Sequence, residues 1–423
     1  MVGGRSQLTN GEYSQGRSLL RAGLRSARTL AGGEVLREFQ KLAREVGSDT
    51  RTREASRLEQ CLGITQDAVD AASIDPERVD ELQVIVGVLQ ALGAYQAAES
   101  LRSRCRSALL GDPAYTYRDS DASDVQLHRA FAALDVSDAE KALTVIESAV
   151  KGAASSRWSG LRRHLALLDV EGYATERGAG FARQDSLRRY IQGREIELVG
   201  PQVARAERRK VTPVDEVATV WLKFVGIDQS DPAGDCSSPH LSYVNASAYT
   251  EMDRRLAGVG ASEVARVLGR CRLFCFKGTA PPRVHHFGVE TRKIDGVCAT
   301  WSSHRLLGLW ALCELVATGS PVLLAGVDLH TTVGTHDPEY PLFSAHRSRD
   351  GGLSHLDVCI THGFSDVFSQ WSLLRNLRER GRISVDARLA DVLGVDQPQL
   401  AAHLQRIHGV PSWLEDRAGI GTQ

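Results

Sequence analysis

TWSSHRLLGLWALCELVATGSPVLLAGVDLHTTVGTHDPEY, residues 300–340, is the stretch whose reading decides the fold class. It opens on a small polar turn, Trp301-Ser302-Ser303, and runs into an apolar stripe. Leu306, Trp310, Cys313 and Ala317 recur at helical spacing, and Leu309, Leu312 and Val316 widen the face. Gly319-Ser320-Pro321 predicts the end of that helix, and residues 322–327 (VLLAGV) predict a strand buried on both faces, as parallel sheets require. Asp328, His330, His336, Asp337 and Tyr340 crowd the loop that follows. Open α/β sheets bind ligands outside the carboxyl ends of their strands, so this loop is the first candidate site.

The same texture extends through the second half of the chain. Residues 196–201 (IELVGP) predict a strand and turn, and residues 217–224 (VATVWLKF), 241–245 (LSYVN) and 273–276 (LFCF) predict further strands. Helical patterns cover 249–269 and 303–318. Strands alternating with helices imply an α/β fold: a Rossmann-like domain over 186–423 with a largely parallel sheet. Eleven of the 13 histidines fall between His240 and His408, which places most imidazole chemistry in this half.

Residues 1–185 predict an all-α domain, rich in Arg, Ala, Leu and Glu, with helical stretches near 16–46, 77–110, 124–151 and 156–169. Gly93, Tyr95, Ala98 and Cys105 are loosely echoed about 44 residues on by Ser137, Ala142 and Ala149. The small residues at those positions resemble the second-helix pattern of tetratricopeptide repeats, with an irregular helical domain as the alternative. The run from Asp119 to Asp124 predicts a linker with helix-capping capacity before Val125.

Composition narrows the function classes. A chain of 423 residues is long enough for two domains, and 42% hydrophobic with 24% charged residues is a globular balance. A net charge of -1 argues against a nucleic-acid partner, which would leave a basic excess. Seven Lys stand against 44 Arg, a bias of composition rather than of phosphate recognition. No segment has the ~20 apolar residues of a membrane span, and the polar residues 1–18 do not read as a signal peptide. Eight scattered Cys without a C-x-x-C pair indicate neither a zinc ribbon nor a redox motif; a reduced, cytoplasmic protein is the expectation.

Four blocks then carry a resemblance: IELVGPQ at 196–202, LSYVNASAYTEM at 241–252, VLLAGVDLH at 322–330 and THGFSDVFSQWSLLRNLRERGRI at 361–383. Together, over about 190 residues, they are similar to the sialyltransferase superfamily, in particular the bacterial type that uses a CMP-activated sugar. The resemblance implies a metal-independent, inverting glycosyltransferase with no cofactor. It implies a nucleotide-sugar donor and a glycan or polysaccharide acceptor as partners, and leaves the helical half as a surface for a protein partner. His362 corresponds to the family's catalytic base, and Asn245 to its nucleotide-contacting Asn. His330, His336 and Tyr340 fall where the family places donors to the departing phosphate. The chain departs from the family at Gly200-Pro201-Gln202 and at Leu222-Lys223-Phe224, which leaves a different activated sugar or a degenerate member open.

Each candidate also has a plainer explanation. His362 precedes the helix face of Phe368, Trp371, Leu374 and Leu377. An imidazole with a pKa of ~6.5 suits proton removal there, but a surface His before a helix needs no function. His330, with Tyr340 or His336, would support negative charge on a leaving phosphate, or simply decorate a polar loop. Asp328 would orient such a donor or cap the next segment. Asn245 would hold a base or ribose, or close an Asx-turn. Ser302 and Ser303 would receive a phosphate at a helix N-terminus, or cap it, and Gly200 would admit the nucleotide close to the backbone. A rival reading groups Gly278, His285, His286, Glu290 and Gly296 near the spacing of a cupin metal motif. Adjacent imidazoles on a strand face opposite sides, which counts against it. A non-catalytic nucleotide-binding scaffold is the other alternative.

Overall fold

The computed structural model describes residues 79, 83, 86, 89, 90, 94–111, 123–149, 156–170, 185–200, 217–222, 240–244, 271–276, 289–294, 300–301, 307–329, 331 and 366–408. The predicted helical stretches at 16–46 and 249–269, residues 119–122 of the predicted linker, His285 and His286 lie outside them, while Ser123 and Asp124 of that linker already belong to a helix.

Among the described residues, the first half contains α1 (Tyr95–Gly111), α2 (Ser123–Asp135), α3 (Ala139–Ala149) and α4 (Ser156–Leu167), with further helical residues at 79, 83, 86, 89 and 90. The stretch expected over 124–151 is two helices, because Ser137 takes a left-handed backbone (φ 62) that ends the first. Asp138 then caps the second, its carboxylate accepting from the Lys141 amide at 2.9 Å. Ala98 and Ala142, small residues of the repeat-like pattern, are fully buried.

After α5 (Asp185–Ile191) come β1 (Glu195–Val199), β2 (Val217–Leu222), β3 (His240–Val244), β4 (Cys271–Phe276) and β5 (Glu290–Lys293). Then follow α6 (Leu307–Ala317), β6 (Val322–Ala325), α7 (Val367–Glu379), β7 (Ser384–Val385), α8 (Ala387–Gly394) and α9 (Gln397–His408). The strands form one seven-stranded sheet in the order β5-β4-β3-β2-β1-β6-β7, and every pairing among them is parallel. This is the parallel α/β sheet expected from the sequence. The strand predicted over 322–327 stops at Ala325, because Gly326 turns out of the ladder at φ 66.

The chain winds outward from β1 through β2 to β5, then returns to lay β6 on the other side of β1. That reversal is a topological switch point, and it lies between the two strands whose following residues were singled out from sequence. The apolar residues of β1 and β6 are covered: Ile196, Leu198, Val199, Val322, Leu324 and Ala325 are all buried, while Glu195 at the start of β1 is exposed and Glu197 is half-buried.

α6 is held to the sheet by buried charge as well as by packing. Glu314, fully buried, accepts two hydrogen bonds from Arg292 of β5 at 2.8 and 2.9 Å, and one from the Tyr243 hydroxyl of β3 at 3.0 Å. Burial, and then the Glu314 charge, push the Tyr243 hydroxyl well above its ordinary pKa, so it remains a donor.

α7 buries Phe368, Trp371, Leu374 and Leu377, the face expected from its sequence. Each such side chain contributes roughly 1.5–3 kcal/mol by transfer from water. α7 packs on α2 and α8, and α9 packs on α1. The buried apolar side chains of the N-terminal helices and of the sheet form one continuous cluster.

Candidate functional site at the sheet switch point

The backbone itself builds the centre of the candidate site. Val199 pairs with Ala325 at the carboxyl ends of β1 and β6, and the Gly200 amide donates to the Ala325 carbonyl at 2.7 Å. The two chains then pass so closely that a side chain at Gly200 has no room. A Cβ there would lie 2.3 Å from the Gly326 carbonyl oxygen and 2.6 Å from Val327 Cγ2. This gives Gly200 a packing reason to be glycine, independent of any ligand.

Gly200→Ala should therefore destabilise the switch point, with the ~1–3 kcal/mol of overpacking as a guide. Since the nearest obstructing atom, the Gly326 carbonyl oxygen, belongs to backbone, relief requires separating the strand ends even if the Val327 side chain turns aside. We expect a lower thermal midpoint. A variant with unchanged midpoint would show that the two loops yield freely and that the close approach is not a constraint.

The β6 end is fixed by α8. Asp386 Oδ2 accepts from the Gly326 amide at 2.7 Å, while its Oδ1 caps α8 by accepting from Leu389 N at 2.8 Å. Asp386 N donates in turn to the Leu324 carbonyl at 3.1 Å. One carboxylate thus ties the turn after β6 to the first turn of a helix.

Asp328 lies two residues beyond that turn and is only 4% exposed. Arg388 of α8, itself partly exposed, faces it with Nη2 3.8 Å from Oδ2. Thr331 folds back on it, its hydroxyl and amide donating to the Asp328 carbonyl at 2.7 and 3.0 Å. His403 of α9 holds the Thr331 carbonyl at 2.9 Å. A carbonyl only accepts, so His403 Nε2 carries the proton and Nδ1 is left to accept from Arg406 at 2.9 Å.

The backbone is strained at two buried non-glycine residues. Leu329, buried, has φ 51, and Asp366, also buried, has φ 25. Such left-handed conformations at non-glycine residues cost of order 1–3 kcal/mol each and persist where their surroundings hold them. These residues flank the part of the sequence that contains His330, His336, Tyr340 and His362.

Of the residues singled out from sequence, Gly200 and Asp328 are described, and they fall at the ends of the two adjacent strands of the switch point. Asn245, Ser302, Ser303, His330, His336, Tyr340 and His362 lie outside the described residues. Asn245 follows directly on the last residue of β3 and His330 follows Leu329, so the chain order places both after strand ends. Gly326, Asp386 and Arg388 were not anticipated. Asp386 carried a readable signal, an Asp immediately before a helical stretch. Arg388 carried none, since it acquires its partner only when α8 docks beside β6. In the rival metal grouping, Glu290 sits on edge strand β5, where Arg189 and the Tyr190 hydroxyl donate to its carboxylate at 3.1 and 3.2 Å.

No protein-family model matches the chain, and no curated protein matches it. Among solved structures, a point mutant of the O-GlcNAc transferase of Thermobaculum terrenum is similar at 12% identity, over 90% of this chain and 99% of that one. The TM-score is 0.20, too low for the likeness to carry an argument about fold or chemistry.

Proposed function

We propose that the chain is a glycosyltransferase of sialyltransferase-like type, moving a sugar from a CMP-activated or other nucleotide-activated donor to a glycan or polysaccharide acceptor. Residues 186–423 would form its Rossmann-like transferase part and residues 1–185 a helical part. The observation that carries the reading is the switch point between β1 and β6, where the strands of two of the blocks with the sialyltransferase resemblance end side by side. Parallel α/β sheets receive nucleotides at such a crevice.

In this reading Gly200, Asn245, Ser302, Ser303 and His336 hold the nucleotide. His362 takes the proton of the acceptor hydroxyl as that oxygen bonds to the anomeric carbon. The bond from that carbon to the phosphate oxygen breaks, and its electron pair leaves with the nucleotide. His330 and Tyr340 donate hydrogen bonds to the phosphate as charge develops there. Asp328, buried beside them in sequence, orients a donor rather than exchanging protons.

A second reading, a nucleotide-binding scaffold without turnover, is favoured by one observation. The packing at Gly200 accounts for that glycine without a phosphate, and Pro201-Gln202 follows it.

Thermal-shift titration with CMP, UMP, GMP and their sugar conjugates separates these readings. At 100 times its Kd a nucleotide that binds only the folded chain stabilises it by about 2.7 kcal/mol. CMP and its conjugates should produce that shift, and transfer should survive EDTA. No stabilisation by any nucleotide would sink both readings. Binding without transfer would leave the scaffold, and transfer abolished by EDTA and restored by iron or manganese would revive the metal grouping around Glu290.

A further inference from the structure

Arg388 stands at the wrong end of its helix. It is the second residue of α8, in a first turn that carries no acidic side chain. The positive end of the helix dipole lies there, so a carboxylate is preferred and a guanidinium is disfavoured. Capping does not call for it, since Asp386 Oδ1 already accepts from the Leu389 amide at 2.8 Å. Departures from a local rule of this kind collect at functional sites.

Stability does not account for Arg388 either. Its Nη2 lies 3.8 Å from Asp328 Oδ2, beyond hydrogen-bond distance, and its side chain is 43% exposed. An ion pair that loose and that open to water adds little. A guanidinium has five N–H donors, and among the described residues the Arg388 side chain donates no hydrogen bond.

The carboxylate behind it is fixed. Asp328 is buried, in a turn fastened by α8 and α9. Asp386 accepts from the Gly326 amide at 2.7 Å, Thr331 donates to the Asp328 carbonyl at 2.7 and 3.0 Å, and His403 donates to the Thr331 carbonyl at 2.9 Å. Gly326 is the residue whose carbonyl crowds Gly200, so the pair belongs to the switch point itself.

We propose that Arg388 is a phosphate-binding residue of the switch point, and that Asp328 positions its guanidinium. The proposal rests on the reading of this crevice as a nucleotide site, and it supplies the donor that Asp328 orients. Two parallel N–H groups of a guanidinium match two oxygens of a phosphate, and the charge strengthens both bonds. A side chain held from behind by a buried carboxylate loses less freedom when the ligand arrives.

Isothermal titration of the full chain with CMP and with cytidine, which lacks the phosphate, tests this. In the wild type CMP should bind about tenfold or more tightly than cytidine, and Arg388→Gln should abolish that margin while cytidine affinity stays constant. Arg388→Lys keeps the charge without the fork and should recover part of the margin. The thermal midpoint of ligand-free Arg388→Gln should hold or rise, because a charge leaves the wrong end of α8. Asp328→Asn should weaken CMP binding in the wild type and cost nothing further in Arg388→Gln, the coupling expected of a residue that acts through Arg388. Arg375→Gln is the control: Arg375 is an exposed arginine of α7 paired with Glu379 at 2.7 Å, and its loss should leave CMP affinity unchanged.

Arg388→Gln that binds CMP as the wild type does overturns the proposal and leaves the nucleotide reading standing. A lower midpoint with equal weakening of CMP and cytidine also overturns it, because Arg388 would then be structural. If Asp328→Asn does not fold, the two Arg388 variants decide alone. A wild type that binds CMP no better than cytidine holds no phosphate, and one that binds neither removes the nucleotide reading and the proposal together.

Discussion

Replacing His362 with alanine should lower turnover by about 10²–10⁴-fold while leaving CMP affinity nearly unchanged. In the proposed reaction the substitution removes only the group that takes the acceptor's proton, and that group does nothing for the bound nucleotide in the ground state. Asn245→Ala should behave differently, weakening nucleotide binding as well as rate, because its contact would exist in ground and transition states alike. The contrast is more informative than either variant alone. General damage to the site would lower affinity and rate in both. A His362→Ala protein that binds CMP normally and transfers at full rate would reduce His362 to a residue before a helix. The acid side of the kcat profile gives a further check, since a base with an ordinary imidazole pKa of ~6.5 loses activity below that pH and the alanine variant lacks that step.

The sheet was legible wherever burial on both faces imposes an apolar run. Residues 273–276 and 322–325 are such runs, and the mostly apolar stretches 196–199 and 217–222 were read with them; all lie in strands. β5 escaped because Glu290-Thr291-Arg292-Lys293 is polar throughout. Arg292 is buried only because Glu314 waits for it on α6, and nothing local to either residue announces a pair 22 positions apart. β7, two residues long, pairs with β6 and has no pattern to read. The break between α2 and α3 was visible in principle, since Ser137-Asp138 is a capping signal inside an otherwise helical stretch.

Of the candidate site the sequence indicated a place rather than a set of groups: Asp328 was expected after a strand, and it does follow β6 at the carboxyl edge of the sheet, because topology fixes where parallel strands end. What fastens that edge did not follow from sequence. Asp386 and Arg388 arrive from α8, some 60 residues downstream, and the carboxylate at Asp366 is met by Arg102 of α1, 264 residues upstream. Those partners are specified by tertiary packing, where hydrophobic periodicity carries no information.

Asp135→Asn should destabilise the protein by about 3–5 kcal/mol at neutral pH, the cost of breaking a buried ion pair from one side. Asp135 is fully engaged. It accepts from Arg102 at 2.7 and 3.1 Å, from Arg106 at 2.8 Å and from the Ser372 hydroxyl at 2.6 Å. Gln397 extends the network to α9, donating to Ser372 at 2.9 Å and accepting from Arg106 at 2.8 Å. Asparagine keeps the shape but leaves two guanidinium groups facing a neutral amide, and Arg102 has no route to water. Burial alone would raise the Asp135 pKa, but the charge and hydrogen bonds of Arg102, then Arg106 and Ser372, outweigh it and hold the carboxyl below its ordinary value. A carboxylate with a depressed folded-state pKa contributes stability that is fully present above its unfolded pKa of ~3.9 and is lost as pH falls through the folded value. The gap between wild type and Asp135→Asn should therefore be constant from about pH 7 down to ~4 and close only below that. Urea unfolding followed by tryptophan fluorescence, repeated from neutral to acid pH, measures that gap. A gap that closes instead between pH 6 and 7 would assign the linkage to a histidine, and a gap below ~1 kcal/mol at pH 7 would mean that the network is hydrated and behaves as surface pairs do.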